Sequence, residues 1–227
     1  MPPTTNKDLH IVFDFDGTLI DWAYDTTPLV ISFIKECLGE AFTDHHLELL
    51  TTTQGFASSV NAFFKTDERI QIIEKIAAIA CEQVDNAALI PPNMKKVLER
   101  LKLNHKLYIF SARDPHSLKY ASDKMGISHL FEVISGFDGK HKPKPDVCGF
   151  NAFLRKQNLA TDQILYIGDK RSDLTMAHDA GVEFIGAGWL RDTLSESDCD
   201  NFCADLRSLS ILIGKLGSQK ALKFSQQ

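Results

Sequence analysis

Short, uninterrupted apolar runs recur along the chain, and β-branched and aromatic residues dominate them. Runs of this kind are typical of parallel strands that are buried on both faces of a sheet. The predicted strands span residues 9–13, 107–110, 132–134, 164–167 and 182–185. Amphipathic segments alternate with the later strands and predict helices at 91–103, 115–125 and 174–180. Alternation of strands and helices predicts an α/β fold with a Rossmann-like, doubly wound parallel sheet.

A long segment without strand patterning separates the first predicted strand from the second. It covers residues 14–106, far more than one strand-to-strand crossover requires. Within it, apolar residues recur at helical spacing over 28–38, 45–50, 57–64 and 68–88. We therefore predict an α-helical cap at 22–88, inserted into a core domain formed by 1–21 and 89–227. The polar tail from Gly217 onward is predicted to be loose.

Composition narrows the class of protein. The chain has 227 residues, of which 44% are hydrophobic and 24% charged, and its formal net charge is −5. These values are typical of a globular protein without a basic surface for nucleic acid. The apolar runs are too short to span a membrane. Five scattered cysteines and a polar N-terminus favour a cytoplasmic protein, expected to be a monomer or homodimer.

Polar side chains follow three of the predicted strands, and a lysine-containing loop precedes the fourth. Because ligands bind at the carboxyl ends of the strands in open α/β sheets, we expect these side chains to converge. They are Asp14 and Asp16 after the first strand, Ser111 after the second, Lys142 and Lys144 in the loop, and Asp169 and Asp173 after the fourth.

This set of side chains suits phosphoryl transfer. Carboxylates crowded into one crevice repel each other by roughly 4 kcal/mol per pair, and a cation relieves that repulsion. An all-oxygen ligand set with room for water favours Mg²⁺. The Ser111 hydroxyl and the Lys142 ammonium suit an oxyanion whose charge grows during the reaction. The residues therefore indicate phosphoryl transfer through an aspartyl-phosphate.

The same residues resemble the four signatures of the haloacid dehalogenase superfamily. Asp-Phe-Asp-Gly-Thr-Leu at 14–19 resembles the first signature, and Ser111 resembles the second. Lys-Pro-Lys-Pro-Asp at 142–146 and Gly-Asp-Lys-Arg-Ser-Asp at 168–173 resemble the third and fourth. The resemblance runs from about residue 9 to 188, and the position of the insert matches the subfamily with a helical cap, which includes phosphoglycolate phosphatases.

The resemblance implies roles for the acidic residues. Asp14 is the expected nucleophile, and Asp16 is the expected acid and then base. Mg²⁺ is expected to bind the Asp14 and Asp169 side chains and the Asp16 backbone carbonyl. Asp173 is expected either to be a further ligand or to orient Lys142. An aspartate at position 16 favours a phosphate monoester over a carbon–halogen substrate.

The resemblance also implies which residues contact the substrate. Ser111 and the backbone amides near Phe15 and Ala112 are expected to hold the phosphoryl oxygens. Lys142 is preferred over Lys144 as the lysine of the site, because the family usually places that lysine first in Lys-Pro-x-Pro. The residues predicted to contact substrate are Gly17, Thr18, Trp22, Gly55, Ala112 and Arg113.

The cap composition bears on the substrate. Between Lys35 and Lys65 the chain has no Lys or Arg, which favours a small monophosphate with a neutral or weakly polar leaving group. A phosphomutase of the same fold, similar to β-phosphoglucomutase, is the main alternative, and the lack of a positive charge in the cap loop at Gly55 disfavours it. A receiver-type signalling domain is a remote alternative, disfavoured by the first signature and by the long insert.

Overall fold

A computed structural model describes residues 9–22, 27–51, 60, 63–191 and 193–224 of the chain. Its strands are β1 His10–Phe13, β2 Asp21–Trp22, β3 Ala88–Leu89, β4 Lys106–Phe110, β5 Val133–Ser135, β6 Ile164–Gly168, β7 Glu183–Ala187 and β8 Phe202–Cys203. Its helices of eight or more residues are α1 Thr27–Leu38, α2 Asp44–Thr51, α3 Thr66–Ala87, α4 Met94–Lys102, α5 Pro115–Lys124, α6 Cys148–Gln157, α7 Arg171–Asp179 and α8 Leu209–Phe224.

Six strands form one parallel sheet in the order β5-β4-β1-β6-β7-β8. Strand β1 lies in its interior, and Ile11, Val12 and Phe13 are fully buried there. The strand runs that the hydrophobic pattern predicted are all present, with ends shifted by up to two residues. The predicted Rossmann-like α/β sheet is therefore confirmed.

Alternate residues of β1 pack into different cores. Ile11 and Phe13 belong to a cluster that includes apolar side chains of α4, α5 and α8, whereas Val12 packs with side chains of α6 and α7. Helices therefore cover both faces of the sheet. This arrangement leaves the carboxyl ends of the strands as the edge on which loops can form a site.

The inserted segment has an apolar cluster of its own. Its members are Val30, Ile34, Leu50, Val60, Phe64 and Ile72. Strands β2 and β3 pair antiparallel where the chain leaves the sheet domain and returns to it, with Asp21 opposite Leu89. Both features agree with a cap at 22–88, which stays a prediction. Most of the predicted helix 57–64 lies outside the described residues.

Several predicted boundaries differ from the structure. Helix α4 begins at Met94, because Asn93 has a left-handed backbone (φ 69°) that interrupts the turn after the two prolines. Helix α7 begins at Arg171 rather than 174. The prediction of a loose tail from Gly217 onward was wrong. Helix α8 continues through Gly217 to Phe224, and its residues Leu209, Ile213 and Leu216 are buried. Within the described segments, no helix combines the length and the apolar character that crossing a membrane requires.

The packing of α4 against the sheet can be tested by mutation. Leu98 is fully buried in α4, whereas Leu103, just after the same helix, is 80% exposed. We expect Leu98→Ala to lower the free energy of unfolding by about 3–5 kcal/mol, because it leaves a cavity. Leu103→Ala is the matched control, with an expected change below about 0.5 kcal/mol. Urea unfolding measures both, and equal losses would contradict the described packing.

Candidate functional site

The predicted site residues converge at the carboxyl edge of the sheet. Asp14 directly follows β1, Ser111 follows β4, and Asp169 follows β6. Because β1 lies between β4 and β6, Asp14 takes the central position. Its backbone N–H donates to the Ile167 carbonyl of β6 at 2.8 Å, which extends the sheet hydrogen bonding to the first residue of the site.

Three carboxylates lie together in the protein interior. Asp14 is 3% exposed, and Asp169 and Asp173 are fully buried. One oxygen from each lies within 4.8 Å of the others. Carboxylates so close together and so far from solvent need a positive partner. The set consists of oxygen ligands only, which fits a hard divalent cation such as Mg²⁺.

Lys144 supplies one positive charge to this cluster. Its Nζ donates to Asp14 Oδ1 at 2.8 Å, to Asp173 Oδ1 at 2.5 Å and to the Tyr166 hydroxyl at 3.2 Å. The preference for Lys142 as the lysine of the site is therefore corrected, because the Lys142 side chain is exposed. Lys144 lies two residues further along the loop and is buried. Asp173 binds Lys144 rather than Lys142, which it was expected to orient, and its expected metal contact stays a prediction.

Burial and neighbouring charges shift the pKa values in the cluster. Burial raises the pKa of Asp14 to about 7, opposed by the charge of Lys144 and reinforced by Asp173 and Asp169. Burial also raises the pKa of Asp169. For Lys144, burial alone would lower the pKa, but the charges of Asp14 and Asp173 raise it well above its ordinary value. The charge of Lys170 also lowers the pKa of Asp14 and of Asp169, but burial outweighs it at both. Three buried carboxylates held together in this way have the electrostatic character of a cation site.

Asp16 lies outside this cluster and has partners of its own. Its carboxylate accepts hydrogen bonds from Arg113 Nε at 3.1 and 3.2 Å, from Arg113 Nη2 at 3.0 Å and from Trp22 Nε1 at 2.9 Å. Burial would raise the pKa of Asp16, but the charge and hydrogen bonds of Arg113 lower it. The side chain of Asp16 is thus separated from the carboxylates expected to bind metal, and its expected metal contact through the backbone carbonyl stays a prediction.

The first signature folds tightly against Asp169. Gly17 has a left-handed backbone (φ 87°), and a Cβ at this position would overlap the carboxylate of Asp169. Thr18 is fully buried, and its hydroxyl donates to Asp169 Oδ1 at 3.0 Å. Gly17 and Thr18 therefore position a carboxylate of the cluster, and their predicted contact with substrate stays a prediction.

Ser111 is positioned by the sheet and by its own turn. Its backbone N–H donates to the Ser135 carbonyl of β5 at 3.0 Å, and its Oγ accepts from the Arg113 backbone N–H at 3.2 Å. Ser111 does not cap the next helix, because Asp114 does so by accepting from Ser117 N–H at 2.9 Å. Ser111 is 4% exposed, and its hydroxyl does not cap the helix. The predicted phosphate contacts of Ser111 and Ala112 stay predictions.

Two other predicted substrate residues have different outcomes. Trp22, in β2, packs over Arg113, whose guanidinium carbon lies 4.4 Å from the centre of the Trp22 ring. It is therefore part of the site margin at the entrance to the insert. Gly55 lies outside the described residues.

Sequence reasoning missed further residues beside the cluster. Tyr166, fully buried in β6, donates to the Phe110 carbonyl at 2.9 Å and approaches Asp173 at 3.3 Å. After β7, Trp189 Nε1 donates to the Thr18 carbonyl at 2.8 Å, and Thr193 donates to the Asp169 carbonyl at 2.5 Å. The position of this loop at the carboxyl end of a strand was a usable signal. Tyr166 gave no signal, because its pattern is that of a core residue.

Comparison with known families gives one match over most of the chain. The family described as haloacid dehalogenase-like hydrolase matches residues 11–187. This segment begins within β1 and ends with β7, and it includes all four strand and loop elements of the site. A match to a hydrolase family makes the receiver-domain alternative wrong.

Similar proteins of known name cover most of the chain. A phosphoglycolate phosphatase of Pasteurella multocida is 27% identical over 78% of this chain and 84% of its own length. The pyrophosphatase PpaX of Oceanobacillus iheyensis is 26% identical over 90% of this chain and 96% of its own length. Among solved structures, a predicted phosphatase from Clostridium acetobutylicum has a TM-score of 0.71 at 18% identity, covering 92% of this chain and all of its own.

The close approach at Gly17 generates a prediction. We expect Gly17→Ala to lower the free energy of unfolding by roughly 1–2 kcal/mol for its left-handed backbone, and by a further amount for displacement of Asp169. Gly39→Ala is the matched control, because Gly39 also has a positive φ (53°) but open space around it. Urea unfolding of both variants isolates the overlap, and equal losses would show that Asp169 moves aside without cost.

Proposed function

The chain belongs to the haloacid dehalogenase-like hydrolase family, and from its site we propose that it is a Mg²⁺-dependent phosphatase that hydrolyses a small phosphate ester through a phosphoaspartate at Asp14. The observation that carries this proposal is the position of Asp14. Its carboxylate lies at the carboxyl end of the central strand, 2.8 Å from the Lys144 ammonium and beside Asp169 and Asp173. The phosphatases among the similar proteins support the same chemistry.

Two displacement steps at phosphorus account for hydrolysis. Before the first step Asp16, which is paired with Arg113 as a carboxylate in the ligand-free site, takes up a proton from solvent. In the first step, an oxygen of Asp14 attacks phosphorus, the bond from phosphorus to the ester oxygen breaks, and Asp16 gives that proton to the departing oxygen. In the second, water attacks the phosphorus of the phosphoaspartate and gives a proton to Asp16. The bond between phosphorus and Asp14 then breaks. One water is consumed, and an alcohol and inorganic phosphate are released.

The buried carboxylates provide the place for the cation. Asp14 and Asp169 would hold Mg²⁺, together with the Asp16 backbone carbonyl. When bound, Mg²⁺ supplies positive charge that offsets the negative charges of the phosphoryl group and the nucleophile. Lys144 orients Asp14 through its hydrogen bond, and Asp173 holds Lys144 in place. Ser111 lies on the other side of Asp14, at the end of β4, where its hydroxyl can donate to a phosphoryl oxygen.

The first test is phosphate release from p-nitrophenyl phosphate and from a panel of metabolite monophosphates. We expect release that requires Mg²⁺ and stops with EDTA. Asp14→Asn removes the nucleophile and should lower kcat at least about 10³-fold. Asp179→Asn, which changes an exposed aspartate at the end of α7, is the control. Full activity of Asp14→Asn would contradict the proposal, and transfer of the phosphoryl group to a sugar rather than water would identify a phosphomutase.

The two lysines of the loop provide a second test. Lys144→Met should lower kcat by about 10²-fold or more, because it removes the ammonium that contacts Asp14. Lys142→Met should stay close to wild type, since the Lys142 side chain is exposed. Circular dichroism and urea unfolding of each variant show whether a loss of rate reflects loss of fold. A larger loss with Lys142→Met than with Lys144→Met would reinstate Lys142 as the lysine of the site.

A further inference from the structure

Arg113 is a nearly buried cation at the margin of the site. Its side chain is 8% exposed, less than the 24% of its partner Asp16. Nε and Nη2 donate to the Asp16 carboxylate, and Nη1 approaches the Ser117 hydroxyl at 3.4 Å. The guanidinium also lies over the Trp22 ring. The Trp22 ring, the Ser117 hydroxyl and the Asp16 carboxylate thus fix the plane of the guanidinium before any substrate binds.

The position of Arg113 places it on the leaving-group side. Asp16 is the residue proposed to protonate the departing oxygen, so it must come within about 3 Å of that oxygen. The nitrogens of Arg113 lie 3.0–3.2 Å from the Asp16 carboxylate. The guanidinium therefore lies roughly 5–7 Å from the departing oxygen, by addition of two hydrogen bonds through one carboxylate. An oxyanion one or two atoms beyond the ester oxygen spans that distance.

Arg113 retains hydrogen-bonding capacity. A guanidinium has five N–H donors, and within the described part of the chain its contacts with Asp16 and Ser117 engage three of them. The remaining donors, and those now directed at Asp16, can serve a ligand. A planar guanidinium binds a carboxylate or phosphate through two parallel hydrogen bonds, which a lysine does not do.

The central part of the predicted cap has no positively charged Lys or Arg side chain that could bind such an oxyanion. Residues 36–64 contain no Lys or Arg, and cap composition alone therefore favoured a neutral leaving group. The sheet domain, however, contributes a positive charge of its own. Arg113 comes from the turn after β4, two residues beyond Ser111, and so reaches the site from the sheet rather than from the insert.

We propose that Arg113, stacked on Trp22, recognises a negatively charged group on the leaving group, and that this group takes hydrogen bonds which Asp16 accepts in the ligand-free site. The proposal rests on the proposed phosphatase function and specifies its substrate class. That class is a small phosphate ester or anhydride with a second oxyanion, carboxylate or phosphate, one or two atoms from the oxygen that departs.

Transfer of the Arg113 hydrogen bonds from Asp16 to the second oxyanion links binding of the leaving group to its protonation. In the ligand-free site Asp16 Oδ1 accepts from both Trp22 and Arg113, so it is committed to partners other than the ester oxygen. When the second oxyanion takes over the guanidinium, the Asp16 side chain is released and, with a proton taken up from solvent, can act as the acid on the departing oxygen. A substrate without that oxyanion leaves the ion pair between Arg113 and Asp16 intact, and its leaving group meets an acid that is held elsewhere. Arg113 thus acts on specificity by direct contact and on Asp16 as a positioning residue.

The test compares two esters of nearly equal size. Phosphoglycolate carries a carboxylate next to the ester carbon, and 2-hydroxyethyl phosphate carries a neutral hydroxymethyl group there. The measured quantity is the ratio of their kcat/KM values, determined for wild type, Arg113→Gln, Arg113→Lys and Arg207→Gln. Comparing this ratio between variants cancels the intrinsic reactivity of the two esters. Arg207 also pairs with an aspartate, Asp205, but its side chain is 82% exposed, so Arg207→Gln is the matched control.

We expect wild type and Arg207→Gln to prefer phosphoglycolate by about 10- to 100-fold, the usual contribution of charge-assisted hydrogen bonds. Arg113→Gln should lose most of that preference, and Arg113→Lys should keep part of it. Pyrophosphate, tested against the same variants, shows whether a phosphate also uses the guanidinium. A loss limited to one of the two anionic substrates identifies the oxyanion that Arg113 recognises.

Three results would overturn the inference. The first is an equal kcat/KM of the wild-type enzyme for the neutral and the anionic ester, a result that requires no variant. The second is an equal loss of kcat/KM on both esters in Arg113→Gln, with the ratio unchanged, because Arg113 would then only hold Asp16. The third is an absence of phosphate release from every ester and from pyrophosphate with Mg²⁺ present, which removes the phosphatase function itself and is thereby distinguished from the first two.

Discussion

Negative charge buried at the end of the central strand is the constraint on which the rest of this structure depends. Asp14, Asp169 and Asp173 share one buried region, in which the Lys144 ammonium contacts Asp14 and Asp173. Such a set is costly to bury unless its charges are balanced and hydrogen bonded. The local backbone meets that requirement in detail: Gly17 lets the chain pass against Asp169, and Thr18 and Thr193 donate to the same residue.

Asp16 and Arg113 form a second charged pair near the carboxylate cluster, and its partners differ from those of Asp14. Asp16 pairs with Arg113 and Trp22, whereas Asp14 pairs with Lys144. Two aspartates separated by one residue thus have opposite pKa shifts. Burial raises the pKa of Asp14, whereas at Asp16 the effect of burial is outweighed by the charge and hydrogen bonds of Arg113 together with Lys170 and Trp22, which lower the pKa.

The sheet and the acidic residues of the site could be predicted because both depend on local patterns. Buried parallel strands read as apolar runs, and polar residues just after them must lie at one edge. The choice between Lys142 and Lys144 depends on how one loop folds, and both residues have the same local sequence, Lys-Pro. The helix through Gly217 was missed because burial of Leu209, Ile213 and Leu216 against the sheet domain outweighs the polar composition of the tail. The partnership of Asp16 with Arg113 joins residues 97 positions apart, and no local pattern records it.

The composition of the predicted cap and the position of Arg113 favour different leaving groups. Counting charges in an inserted segment assumes that the segment alone contacts the leaving group. In the proposed mechanism the departing oxygen lies next to Asp16, and Asp16 is paired with Arg113 from the turn after β4. A cation on the rigid sheet keeps its position whatever the cap does, so the charge of the leaving group can be read without cap closure. The predicted cap would then exclude water and fit the shape of the remaining atoms, tasks that require no lysine or arginine in its central part, residues 36–64.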